Sequence, residues 1–159
     1  MAPTTAADRS ELYRFVQEVR RFYPFFPVVA ARNWKVFSWR NIRFPAGRRF
    51  LLDLHATNTD PCLWNEPETF NPERFRKEDF SAFALIPQGG GDVSKNHRCP
   101  GETVVLEVME RSLRMLLCEM EYRLPAQDLR IDRSRMPALP GSKIILEDIR
   151  RSERSLKET

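Results

Sequence analysis

Apolar residues first recur along this chain at helical spacing. Leu12, Phe15, Val16, Val19, Phe22 and Tyr23 fall on one face, which predicts an amphipathic helix from about Arg9 to Tyr23. Asp8 followed by Glu11 resembles a capping box with Asp in place of Ser or Thr, and Pro24 stops the helix. Glu18 and Arg21 share one flank of it. The period then changes to two. Trp34–Val36 and Ile42–Phe44 alternate around residues 38–41, Pro45 to Gly47 makes a second turn, and Phe50–Leu54 reads as a third strand.

From His55 to Arg76 the chain is rich in Asn, Asp, Pro and Thr, yet it carries Trp64, Phe70 and Phe75. Large aromatics demand burial, so this stretch is expected to be a packed, irregular meander with room for one short helix, not a flexible linker. Helical period returns from Pro100 or Gly101 to about Tyr122. Val105, Val108, Met109, Leu113, Leu116, Leu117 and Met120 form its apolar stripe, with Glu107/Arg111 and Glu110/Arg114 as ion pairs on the other side. Pro125 to Lys143 reads as loops leading to a final hairpin strand, Ile144–Leu146. The pattern is mainly α with a small β region, an α+β chain. Residues 1–8 are expected to be disordered, 9–149 to form the ordered body, and 150–159 to be a charged, frayed tail.

The 159 residues allow one ordinary domain. With 42% hydrophobic residues, eleven Phe and three Trp, the composition is globular rather than disordered. No apolar run approaches the ~20 residues that cross a bilayer, and the opening MAPTTAADRS does not read as a secretory signal. Twenty-six basic against 22 acidic residues leave a mild +4, scattered in pairs such as Arg20-Arg21 and Arg48-Arg49. Nucleic acid would call for a concentrated stripe, so it is not expected as a partner. Cys62, Cys99 and Cys118 cannot all pair, which points to a reducing, cytoplasmic location. With His55 and His97 the only histidines, a closed zinc site lacks its second ligand pair.

Chemistry concentrates in one segment. Gly89, Gly90 and Gly91 free the backbone and strip side chains from a surface, so a flat ligand could lie against it. Asn96-His-Arg-Cys-Pro-Gly-Glu102 follows. Pro100 suits the first turn of a helix, which puts Cys99 at the helix entrance, where the macrodipole favours an anion and lowers cysteine pKa values. Three other readings of these residues stay open: a phosphate cradle without the usual lysine, a catalytic Cys/His pair, and a buried structural cysteine.

Gln88-Gly-Gly-Gly91 with His97-Arg-Cys-Pro-Gly-Glu102 resembles the haem-ligand loop of the cytochrome P-450 superfamily, in its fatty-acid peroxygenase branch. Glu18-Val-Arg-Arg21 is similar to the family's E-x-x-R helix motif, and Phe70-Asn-Pro-Glu-Arg-Phe75 to its meander motif, in the family's order. The resemblance runs from about Glu11 to Ile149 and implies the C-terminal, proximal-side part of that fold, without the remainder. It makes Cys99 the axial thiolate of haem b, a ligand that favours O–O cleavage. His97, Arg98, Lys95 and Tyr23 would meet the haem propionates, with Gly89, Gly90, Gly91 and Gly101 as cofactor-binding positions. Glu18, Arg21 and Arg74 would form a buried ion network, and Phe25 and Val28 would line the substrate channel. His55 and Cys118 are assigned to structure.

Asn96 stands where the branch usually has Gly, which a left-handed backbone would accommodate. The family's distal half, with its central helix and acid–base group, has no counterpart in this sequence, so no residue is assigned a catalytic role. The implied activity is hydroxylation or decarboxylation of a fatty acid by hydrogen peroxide, without a redox partner. Low solubility or dependence on a partner chain is expected. The alternative is a non-catalytic haem-binding or interaction remnant of a shortened gene.

Overall fold

The computed structural model describes residues 9–77 and 80–152; Asp8 of the expected capping box and the outermost terminal residues lie outside them. Helix α1 spans Arg9–Phe22. Its last turn closes with Tyr23 N–H on the Val19 carbonyl at 2.8 Å, and Pro24 has no N–H to continue the ladder. The face it buries is not the expected one. Leu12 and Val16 are buried, but so are Gln17, Glu18, Arg20 and Arg21, while Phe15 and Tyr23 are exposed. The helix packs on carbonyl-rich loops, which need donors more than hydrocarbon. Phe15 and Phe22 instead meet Phe70 edge-on, at 5.4 and 5.7 Å between ring centroids.

Strand β1, Val28–Arg32, pairs antiparallel with β4, Arg49–Asp53, in register from Val28↔Asp53 to Arg32↔Arg49. Inside that pair sits a small hairpin of β2, Phe37–Trp39, and β3, Ile42–Phe44. Its turn residues Arg40 and Asn41 have φ of 47° and 64°, both positive as a tight hairpin turn requires. Trp34–Val36 is therefore not a strand. Asn33 Nδ2 donates to the carbonyls of Lys35 and Pro45, both at 2.8 Å, and closes that stretch as a turn. Leu54 does not extend β4 either. The Asp53 carboxylate accepts the Ala56 N–H at 2.8 Å and starts the short helix α2, Leu54–Asn58.

The meander packs around Trp64, Phe75, Ala84 and Leu85, with Phe80 against them. A 3₁₀ turn, Pro72–Arg76, is capped by Asn71, whose side chain accepts the Glu73 N–H at 3.0 Å. Buried Asn58 accepts the Ile86 N–H at 2.9 Å and ties α2 to the segment before the glycine run.

Helix α3 covers Glu102–Arg114 and does not reach Tyr122: a wider π-type turn follows over Met115–Glu119, then strand β5, Met120–Arg123. Its only buried residue is Glu102; Val104, Val105 and Val108 on α3 and Leu117 beyond it are exposed. The expected ion pairs along the helix are replaced. Glu107 and Glu110 meet Arg9 of α1, and Arg111 reaches Glu119. Strand β6, Ile131–Asp132, pairs with β7, Leu139–Pro140, and β5 pairs with β8, Glu147–Arg151. Ile144–Leu146 is not a strand, because the Gln127 side chain takes both the N–H and the carbonyl of Ile145, at 2.8 and 3.0 Å. Arg150 and Arg151 belong to β8 and not to a tail. Among the described residues no helix is long and apolar enough to cross a membrane.

Phe75 is buried and Trp34 is 94% exposed. In chemical denaturation, Phe75→Ala should therefore cost about 3–5 kcal/mol, whereas Trp34→Ala should stay within about 0.5 kcal/mol of the parent.

Candidate haem-ligand site

Cys99 is exposed, two residues ahead of the N-cap-to-helix junction of α3. Its N–H donates to the Gln88 carbonyl at 2.9 Å, and its own carbonyl accepts the Glu102 N–H at 3.2 Å. A Cβ on Gly101 would stand 3.7 Å from Cys99 Sγ, so the sulfur lies across the helix entrance. A cleft of about 300 Å³ opens there, lined by Gly91, Val93, Arg98, Thr103 and Leu106 among others.

The glycines serve the loop in a way the sequence reading did not anticipate. Gly89 has φ of +92°, and a Cβ there would run into the His97 carbonyl oxygen; at Gly91, with φ of +80°, it would run into Asn96 Oδ1. These glycines let the loop fold onto itself, and the directions freed of side chains are filled by protein rather than left bare. Gly90 is likewise backed by Ile86 and Phe83. Asn96 is not among the residues with positive φ. Its side chain accepts the Asp92 N–H at 2.9 Å, and that bond explains the amide at this position.

Glu102 is buried between two arginines. Arg98 Nε donates to its Oε2 at 2.5 Å, and Arg20 Nη2 donates to Oε1. Burial alone would raise the carboxyl pKa, but hydrogen bonds from Arg98 and Arg20 outweigh it and hold it below the usual value. The same bond raises Arg98, whose Nη1 also reaches the Gly91 carbonyl at 3.3 Å. Lys95, His97 and Tyr23 are exposed. Phe25 is exposed against Phe26, and Val28 is half-buried at the start of β1. His55 has a buried Nδ1 without a partner, and burial lowers its pKa.

Behind the loop, Glu18 and Arg21 are fully buried and form two parallel bonds of 2.7 and 2.8 Å. Arg21 also donates to the carbonyls of Asn58 and Pro67, both at 2.9 Å, and of Thr69 at 3.3 Å. Glu18 accepts the Asn71 N–H at 2.8 Å and meets Arg74 Nε at 3.2 Å. Arg74 continues to the carbonyls of Asn65, Glu66 and Thr69. The structure thus brings Glu18, Arg21 and Arg74 together on the meander.

The cytochrome P-450 family profile matches residues 7–144. The chain belongs to the cytochrome P-450 family. Among solved structures, a variant of cytochrome P450SP alpha superposes with a TM-score of 0.84 at 46% identity, over 92% of this chain and 36% of that one. Cytochrome P450EX alpha, solved with myristic acid, gives 0.81 at 47% identity, over 89% and 35%. Among curated relatives, cytochrome P-450 71D178 of Origanum vulgare is 33% identical over 153 residues, 87% of this chain and 30% of that protein. The chain spans about a third of the length of these relatives.

The residues present fit the haem this family implies. Among the described residues no group of three or more His, Cys, Asp and Glu side chains could hold a metal ion alone. Porphyrin iron needs no such group, because the macrocycle fills four positions and the protein adds an axial donor. An exposed sulfur at a helix entrance meets that requirement.

Sequence reading missed Gln17, Arg20, Gln88 and Glu102 as an assembly. The available signal was the Arg20-Arg21 doublet: neighbours on a helix point about 100° apart, so two buried arginines imply two polar faces.

Removing charge from Glu18 should cost about 3–5 kcal/mol, because Arg21 is left buried and uncompensated. Arg76→Ala, which breaks an exposed pair with Glu73, should cost no more than about 1 kcal/mol. Urea unfolding of Glu18→Gln and Arg76→Ala compares the two. For Glu102 the folded pKa is depressed, so its stabilisation is complete above the unfolded carboxyl pKa and is lost as pH falls through the folded one. Unfolding midpoints measured across that acid range should drop in the parent and drop less steeply in Glu102→Gln.

Proposed function

We propose that this cytochrome P-450 chain is the proximal, sulfur-bearing part of a haem-thiolate peroxygenase acting on fatty acids. The observation that carries the reading is Cys99: an exposed thiol across the entrance of α3, on a loop fixed by backbone bonds on both sides. Support for the substrate class comes from the relative solved with myristic acid at 47% identity. In the overall reaction one oxygen of hydrogen peroxide enters a C–H bond of the acid, and the other leaves as water.

Cys99 would hold haem b through its sulfur. When bound, the haem supplies activation of peroxide, which an anionic sulfur ligand promotes. The chain's own residues do the holding. Helix α3 presents the positive end of its dipole on the side where the sulfur lies. Lys95, His97 and Tyr23 would supply positive or donor groups for the propionates, with Arg98 adding charge while it is held by Glu102. Gly89, Gly90 and Gly91 keep the loop's tight shape, Gly101 would leave room beside the sulfur for the haem, and Phe25 and Val28 would give apolar wall to the channel. Glu18, Arg21 and Arg74 would keep the meander in place behind the haem. The exposed apolar side chains Val104, Val108 and Leu117 are the surface through which the chain would depend on a partner chain.

Haem titration into the chain should give a thiolate-type Soret band, and Cys99→Ser should abolish it; a variant that keeps that band overturns the ligand assignment. Where a partner chain completes the site, mass spectrometry should then find hydroxylated or decarboxylated myristic acid formed with peroxide alone. Turnover that requires an electron donor would contradict the peroxygenase reading.

A further inference from the structure

The two backbone anchors of Cys99 belong to residues that a single side chain holds. The Cys99 N–H bonds to the carbonyl of Gln88, and the Cys99 carbonyl to the N–H of Glu102. From α1, Arg20 Nη2 donates to Gln88 Oε1 at 2.9 Å and to Glu102 Oε1, while Nη1 donates to Gln17 Oε1 at 2.6 Å. The Arg20 side chain is 4% exposed. Its Nε is buried without a partner, a desolvation cost that the Nη contacts must offset.

We propose that Arg20 is a positioning residue that sets the backbone of Cys99, and with it the direction of the sulfur, by holding the Gln88 and Glu102 side chains on one guanidinium nitrogen. It differs from the Glu18–Arg21–Arg74 set, whose bonds run to the meander. Gln17, three residues earlier on the same helix, takes Nη1 and so fixes the plane of the guanidinium. A planar, always-charged guanidinium can serve these acceptors at fixed angles, which the point charge of a lysine on a flexible stem cannot. Arg98 closes the arrangement from the loop side through the second oxygen of Glu102. The clamp stands on the chain's own geometry; its bearing on iron rests on the Cys99 reading proposed above.

Amide hydrogen exchange resolved by NMR on the full 159-residue chain tests it, in Arg20→Gln, Arg20→Lys and Gln88→Ala. Arg20→Gln should speed exchange at the Cys99 and Glu102 amides about tenfold, equivalent to ~1.4 kcal/mol. The Asn71 amide, which bonds to Glu18, should stay as it was. Gln88→Ala should speed Cys99 and leave Glu102 unchanged, and Arg20→Lys should recover only part of the protection. Unchanged exchange at Cys99 in folded Arg20→Gln overturns the proposal. A common rise at Cys99, Glu102 and Asn71 also overturns it, since that marks general loosening. Should Arg20→Gln fail to fold, the loop variant Gln88→Ala decides by the same criteria. A thiolate band retained in Cys99→Ser, with the exchange pattern intact, would strike the ligand reading and leave the clamp standing.

Discussion

The structure depends on a charge pair that water never reaches. Glu18 and Arg21 are both fully buried, and two ions taken out of water cost several kcal/mol each unless every lone pair and proton finds a partner. Here they do. Arg21 gives its remaining protons to carbonyls of the meander, and Glu18 takes the Asn71 N–H and Arg74. The pair thereby converts an irregular stretch, with few ladders of its own, into a fixed surface. Regular secondary structure would have satisfied those carbonyls internally; this segment satisfies them through one helix.

That helix works on two sides at once. Arg21 faces the meander, and its neighbour Arg20 faces the glycine loop and the start of α3. Because adjacent helical residues diverge by about 100°, a doublet is the shortest way for one helix to hold two loops. The sulfur of Cys99 is placed by this double hold more than by hydrocarbon packing. Trp64, Phe75, Ala84 and Leu85 form the apolar core on the meander side, and among α3 residues only Glu102 is buried.

Much of this was legible in the sequence, and the reasons differ by element. The helical run of α1 and its stop before Pro24 followed from periodicity and local rules, as did the hairpin turn near Asn41. The buried face of α1 was not, because periodicity ranks residues by hydrophobicity and cannot foresee that loop carbonyls will claim Glu18, Arg20 and Arg21. Strand β1 escaped notice because Val28–Arg32 shows no alternation and exists through its distant partner, Arg49–Asp53. Ile144–Leu146 looks like a strand locally, yet Gln127 takes the backbone bonds of Ile145. For the site, the residue types around Cys99 pointed to a sulfur donor, and the resemblance to the cytochrome P-450 family named its use. Loop geometry was hidden: only the fold shows that Gly89 and Gly91 lie against His97 and Asn96.

The central claim is that Cys99 offers its sulfur to porphyrin iron from the entrance of α3. X-ray absorption at the iron edge of the haem-loaded chain reads the donor atoms directly. The account predicts a sulfur scatterer in the iron's inner shell. A shell of nitrogen and oxygen alone would contradict it.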